Sequence, residues 1–195
     1  MPKRKTQFVQ GHYYHIFNRG AGQQSIFRRD ADYRKVQRLL KEVAAECEIA
    51  IIAYCLLPNH YHWLVRQDGL ITPRKLVGRI FGSYSQSFNL TYRRSGTLFE
   101  GPFESRHVGN DLYLRHLCCY IHANAVKHTI AAAPELWPYS NYLGWLGQRE
   151  DDILDRAFIE TYYPDISHYQ AAVRSYLTGQ VVLPPGIKRF LDGLE

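Results

Sequence analysis

Two histidines flank one large residue in Asn59-His60-Tyr61-His62, and a later stretch, Tyr120-Ile121-His122-Ala123-Asn124, sets a tyrosine one helical turn before an asparagine. Alternate side chains of a β-strand share a face, so both imidazoles would point the same way and could share one metal ion. On a helix the spacing of Tyr120 and Asn124 likewise puts them on one face. A phenol with a pKa of about 10 is a weak nucleophile unless something nearby stabilises the phenolate or removes its proton. If Asn124 lent its amide oxygen to an ion held by His60 and His62, Tyr120 would lie within reach of an electrophile on that ion. Two imidazoles and an amide oxygen leave open positions, which a divalent cation can use to bind and polarise a phosphate.

The elements around these residues follow from periodicity and punctuation. His12-Tyr13-Tyr14-His15-Ile16-Phe17-Asn18-Arg19 alternates like a strand and ends at Gly20-Ala21-Gly22. Tyr33, Val36, Leu39, Leu40 and Val43 then recur at helical spacing, predicting a helix to about Cys47 capped by Asp30 or Asp32. The apolar run 49–57, broken by Pro58 and resumed by His60 to Val65, predicts one long strand or two joined near Pro58. Thr72-Pro73 opens a second helix toward Tyr92, with Thr72 as its cap and Pro73 in the first turn. Residues 97–108 suggest a strand or bent hairpin with an edge or bulge at Gly101-Pro102, and Gly109-Asn110-Asp111 reads as a loop and cap before a third helix from Leu112 to about Lys127. Weaker helical segments follow near 154–163 and 169–177. This order predicts an α+β fold, with helices against an antiparallel sheet.

At 195 residues with a 46% hydrophobic fraction, one globular domain is the expectation, with room for a small appendage. No run approaches the roughly 20 apolar residues of a membrane helix, and no apolar segment follows Met1-Pro2-Lys3-Arg4-Lys5, so a soluble, cytoplasmic protein is expected. Cys47, Cys55, Cys118 and Cys119 have neither zinc-knuckle nor disulfide spacing and read as reduced, buried thiols. A net charge of +6, with basic clusters at Lys3-Arg4-Lys5, Arg28-Arg29, Arg34-Lys35, Arg74-Lys75 and Arg93-Arg94, suits a polyanionic partner, although solvated helix faces are the commoner meaning of such clusters.

Taken singly, the site residues admit plainer readings. Two histidines on a half-exposed strand can be satisfied by water, a tyrosine among 15 usually packs in a core, and asparagine is favoured near helix ends. His107, His116 and His122 lie near Tyr120 in sequence as candidates for proton transfer or DNA contact, and as bystanders otherwise. Glu100 and Glu104 could complete a metal shell, but solvation is the usual fate of such carboxylates. Trp63, on the opposite strand face from the histidines, is expected in the core.

The motifs in series carry a family resemblance. Tyr14-His15-Ile16-Phe17-Asn18-Arg19-Gly20, Leu57-Pro58-Asn59-His60-Tyr61-His62, Phe99-Glu100-Gly101-Pro102-Phe103, Tyr120 to Asn124 and Trp137-Pro138-Tyr139-Ser140-Asn141-Tyr142 together resemble the bacterial single-tyrosine transposases with a histidine-hydrophobic-histidine motif, particularly the REP-associated tyrosine transposases. The likeness spans about residues 12 to 145; Ala125 departs from it, where the family usually has proline. It implies a ferredoxin-like or RRM-like antiparallel sheet with helices packed on it, over a domain of residues 8–147, while the length of the remaining segment, 148–195, suggests a C-terminal helical extension. It also implies a metal-dependent endonuclease and transesterase acting on single-stranded or hairpin DNA through a 5′-phosphotyrosine link. In that chemistry Tyr120 is the nucleophile and His60, His62 and Asn124 hold Mg²⁺ or Mn²⁺. Relatives work as monomers or as homodimers. Competing readings are a hairpin-binding protein without turnover and a metal-dependent hydrolase of small phosphoesters.

Overall fold

The strand sequences sort their side chains by alternation, and the two faces of one sheet receive different chemistry. In the computed structural model, which describes residues 6–180, β1 (Tyr13–Arg19) sends Tyr14 and Ile16 to one face, while β3 (His60–Gln67) sends Tyr61, Trp63 and Val65 to the same face. Tyr13, His15, Phe17, His60, His62 and Leu64 face the other way. With β2 (Ile49–Leu57) and β4 (Glu104–Val108) the strand order is β2-β3-β1-β4, every neighbouring pair antiparallel.

The helix α1 (Asp30–Glu46) joins β1 to β2 and α2 (Pro73–Thr91) joins β3 to β4, each crossing over one intervening strand. This is the ferredoxin-like connectivity that the family resemblance implied, and it realises the antiparallel sheet with packed helices expected from the element order. Both helices pack on the first face, where Val36, Leu40, Leu76, Ile80 and Phe81 close over Tyr14, Ile16, Tyr61 and Trp63. Trp63 is fully buried, its ring 5.1 Å from Phe81. The second face is covered by α3 (Asp111–Lys127), and after α4 (Tyr142–Trp145) and α5 (Arg156–Tyr162) the helix α6 (Ile166–Leu177) lies against α3. So α3 is enclosed between sheet and helix, which is why ten of its residues are buried.

The sheet's β2 edge is closed by a later segment. Leu56 N–H donates to the Tyr139 carbonyl (2.9 Å), Asn141 N–H to that of Tyr54 (3.3 Å), and Trp137 Nε1 to that of Leu56 (2.9 Å). A bulge at Ile52 turns its carbonyl outward, where Asn141 Nδ2 (2.9 Å) and Trp145 Nε1 (3.0 Å) bond to it. An otherwise open strand edge is thus paired.

Boundaries depart from the sequence expectation in three places. The last strand begins at Glu104 rather than near Thr97, because Pro102 lacks a donor and the preceding stretch makes only an isolated bridge between Phe99 and Gly20. Arg29 occupies the α1 cap position, while Asp32 reaches back from the first turn to accept from Arg28 N (2.9 Å) and Arg29 N (3.1 Å). Thr72 sits at the α2 cap without a side-chain bond, whereas Asn110 caps α3 by accepting from Tyr113 N (2.8 Å).

All four cysteines are buried free thiols. No helix among the described residues is long and apolar enough to cross a membrane. Lys3-Arg4-Lys5 and Leu183-Pro184-Pro185-Gly186 lie outside the described residues.

Candidate active site

The sequence-predicted residues come together at the seam between the second sheet face and α3. His62 projects from the middle of β3 toward α3, and Tyr120 meets it edge-on, ring centroids 5.3 Å apart. His60, at the start of β3, is 5.2 Å from His62, and its Nδ1 lies 2.7 Å from Asn59 Oδ1. Asn124, one turn after Tyr120 on α3, has its carboxamide beside His60. Stretches about 60 residues apart in the chain thus converge, because α3 packs on the face of the sheet to which β3 sends its histidines.

A third imidazole, absent from the predicted set, completes the buried cluster. His15 of β1 places Nε2 3.0 Å from His62 Nδ1, with the two rings stacked. The contact occupies His62 Nδ1 and leaves Nε2 open, the arrangement in which a second group commonly orients an imidazole. Alternation along β1 puts His15 on the histidine face. Its contact with His62 depends on the β1–β3 register, which pairs His62 with Phe17 and leaves His15 on the diagonal.

Burial keeps these imidazoles neutral. His15 is pushed down to about 3, with Arg106 adding to the effect; His62 lies well below 6.5; and His60 falls to about 4, with Asn124 partly opposing the shift. Neutral imidazole is the form that donates a lone pair to a metal.

Among the described residues, no three His, Cys, Asp or Glu side chains gather closely enough to hold a metal. The set of His60, His62 and Asn124 is a different one, and its atoms suit a divalent cation. His62 Nε2 is a buried atom without a hydrogen-bond partner, and Asn124 Oδ1 is a buried acceptor facing His60; an uncompensated buried polar atom is costly. Two imidazole nitrogens and an amide oxygen also form a mixed nitrogen–oxygen donor set that can bind a divalent cation, the imidazoles favouring transition metals over Mg²⁺.

Beside this cluster opens a cleft of about 560 Å³, lined by Phe17, Arg19, Asn59, His60, Glu100 and His128 among others. Its size is that of a small-ligand site. Arg19 and Glu100 form an ion pair at its mouth. Gly20 closes the wall behind Arg19: its N–H donates to the Asn59 carbonyl (2.8 Å), and a Cβ there would meet the Gln24 carbonyl oxygen at 2.1 Å. Of the cleft residues, sequence reading weighed Glu100 and Glu104 and missed His128, which lies 4.8 Å from His60.

Tyr120 does not open onto the cleft. It is fully buried, with Tyr176 of α6 6.4 Å away and Lys127 Nζ 5.2 Å over its ring. Its phenol therefore lies against the imidazole cluster but beneath a cover.

The other histidines serve elsewhere. His107 pairs with His12 at the exposed sheet edge (2.8 Å), and His116 lines a small cavity between α3 and α6. His122 faces away from the cluster, its Nδ1 2.5 Å from Tyr169 Oη and its Nε2 2.9 Å from Asn141 Oδ1. It joins α3, α6 and the segment closing the β2 edge.

Burial pushes His122 from 6.5 down to about 4, against the contrary pull of Asn141. Between those values the unfolded chain binds more protons than the folded one, so this contribution to stability is complete above 6.5 and is lost as pH falls toward 4. We expect wild-type stability to drop on acidification from pH 7 to 5, with His122 accounting for about 1–2 kcal/mol. Urea midpoints at the two pH values should show a smaller drop for His122→Gln; an equal drop would remove His122 from the account.

A ferredoxin-like sheet bearing an imidazole cluster against a helix tyrosine, with a cleft alongside, makes an α+β protein whose candidate site lies at the sheet–helix seam. Residues 8–124 match the family described as Transposase IS200 like, 117 of 195 residues, and the chain belongs to that family of transposases. A solved structure of a REP-associated tyrosine transposase bound to a REP hairpin is similar in fold, with a TM-score of 0.58 and 17% identity over 80% of this chain and 94% of that one. A transposase structure from Deinococcus radiodurans, described as putative, aligns with a TM-score of 0.43 and 13% identity over 68% of this chain and 100% of that one. No curated protein matches the sequence.

Proposed function

We propose that this transposase-family protein is a metal-dependent endonuclease and transesterase for single-stranded DNA next to hairpins, with Tyr120 as nucleophile. The observation that carries the reading is the edge-on contact of Tyr120 with His62, beside the buried, unpartnered His62 Nε2 and the amide oxygen of Asn124. The hairpin bound to the REP-associated relative is the reason to test hairpin DNA.

In the proposed step the phenolic oxygen of Tyr120 bonds to phosphorus as the bond to the 3′ oxygen breaks. The phenol gives up its proton and the departing oxygen gains one, leaving a 5′-phosphotyrosine and a free 3′-hydroxyl. The phosphodiester bond energy stays in the adduct for a later joining step. His60, His62 and Asn124 would hold Mg²⁺ or Mn²⁺, which supplies charge stabilisation to the phosphate oxygens. His15 fixes the His62 ring, Asn59 the His60 ring, and the cleft beside them receives the nucleotide. Because Tyr120 is covered, its reaction requires α3 or the 148–180 segment to shift.

The test is incubation with end-labelled hairpin DNA carrying a single-stranded flank, with Mn²⁺ or Mg²⁺, followed by denaturing electrophoresis. An adduct that survives denaturation supports the reading. Release of free product without an adduct would favour a hydrolase, and binding without cleavage would favour a hairpin-binding protein. The burial of Tyr120 is the one observation that favours this last alternative.

His15 offers a separate check, since it is a positioning residue. His15→Phe should weaken Mn²⁺ binding by ~10–100-fold, the usual cost of losing a group that orients a ligand. Titration followed by the electron paramagnetic resonance of free Mn²⁺ measures this without reference to activity, and unchanged affinity would release His15 from that role.

A further inference from the structure

We infer that the surface formed by the start of α1 and the end of α2 is a docking site for the phosphate backbone of a DNA duplex, the stem of the hairpin whose unpaired flank enters the cleft. The inference rests on the proposed function in one respect, that DNA is the substrate.

Arg28, Arg29 and Arg94 converge there from two distant stretches of chain, with Arg93 exposed next to Arg94. Arg28 lies over the rings of Tyr92 (4.8 Å) and Phe88 (5.4 Å), Arg29 over Tyr92 (5.1 Å) and Arg94 over Phe88 (5.8 Å). Arg29 Nε also donates to Tyr92 Oη at 3.0 Å. Most other arginines, among them Arg19, Arg34, Arg66, Arg79 and Arg149, are ion-paired, yet none of these four has a carboxylate partner among the described residues. Asp32 is buried and turned inward to the backbone of Arg28 and Arg29 and to Tyr92 Oη (2.6 Å), and the exposed Asp30 carboxylate is engaged by Arg34 and Tyr139. The surface therefore keeps its positive charge, and ring contacts hold several of the guanidinium groups in place before any partner arrives.

The chemistry selects backbone over bases and duplex over single strand. A guanidinium fork matches phosphate oxygens and carries no base readout of its own outside a groove. Single-strand binding uses open aromatic platforms, but here Phe88 is buried and Tyr92 is covered by Arg28 and Arg29. A fixed array of cations with no free stacking face suits the regular phosphates of a helix.

The patch and the cleft also share one end of the molecule. Ile26 and Phe27 N–H donate to the Pro58 carbonyl (2.7 and 3.0 Å), one residue from Asn59 in the cleft wall. From the other side, the chain beyond Arg94 reaches Leu98, whose carbonyl accepts from Ala21 N (3.0 Å), and Glu100 at the cleft mouth. Two short segments therefore connect the arginines to the place where a strand would be cut.

The test compares fluorescence anisotropy of a hairpin with a single-stranded flank and of the same flank without a stem, each across a salt series. Arg28→Gln combined with Arg93→Gln should lower hairpin affinity by ~10-fold and make its salt slope shallower by about 2, roughly one for each phosphate no longer neutralised. Affinity for the flank alone should not change. Arg28→Lys with Arg93→Lys, which keeps the charge, should retain most of the slope, and the single loop variant Arg93→Glu gives an independent reading should the double variant melt early. Unchanged hairpin binding, or equal losses on both DNAs, would overturn the inference. Adduct formation separates the two claims: patch-dependent hairpin binding without an adduct leaves the surface standing and removes the chemistry, and the reverse result removes only the surface.

Discussion

A Tyr120→Phe variant is expected to fold and to bind hairpin DNA like the wild type, and to form no covalent adduct, with cleavage reduced by at least ~10³-fold. The size of the effect follows from the step itself, because phenylalanine has no oxygen to bond to phosphorus and no neighbouring group can substitute without a different product. The ring remains, so its edge contacts with His62, His15 and Tyr176 survive. Loss of the hydroxyl should cost about 1 kcal/mol or less in stability, which a melting curve can check. Retained cleavage with an adduct at another residue would remove Tyr120 from the mechanism.

Removing His62 should produce the second large effect, in two independent readouts. His62 is the centre of the cluster, touching His15, His60 and Tyr120. In His62→Ala the site loses the imidazole nitrogen that has no other partner, so Mn²⁺ affinity and metal-dependent cleavage should each fall by at least ~10²-fold. His15 is also deprived of a second imidazole in a buried place, which should cost about 1–3 kcal/mol of stability. His60→Ala, at the partly exposed rim, should show the metal effect with a smaller stability loss. Full Mn²⁺ affinity in His62→Ala would defeat the ligand set.

The contrast between His60 and His62 illustrates what could be read in advance. Strand alternation placed both on one face, and helical spacing placed Tyr120 with Asn124, because these periodicities are set by backbone geometry within a few residues. The same local rules located α1, α2 and α3 to within a residue or two and put Trp63 on the core side. Where a side chain reached back across a turn, as Asp32 does, or where proline interrupted pairing, as at Pro102, the boundary moved, because the competing partner lay outside the local pattern.

His15 and His128 show the limit more sharply. Each is an unremarked histidine until β1 is laid beside β3 and the end of α3 over His60, and that arrangement depends on register and helix packing rather than on spacing. The arginine surface is similar: Arg28-Arg29 and Arg93-Arg94 are visible as separate basic pairs, and only the packing of α1 against α2 joins them over Phe88 and Tyr92.

By itself, then, the amino-acid sequence determined which faces carry imidazole, phenol and amide, and that an antiparallel sheet with crossing helices would present them, since alternation and helical period are properties of short stretches. Only the tertiary structure decided that His15 holds His62, that Tyr120 lies beneath α6, and that Arg28, Arg29 and Arg94 share one surface. Those facts arise from contacts between segments far apart in the chain, which no local period encodes.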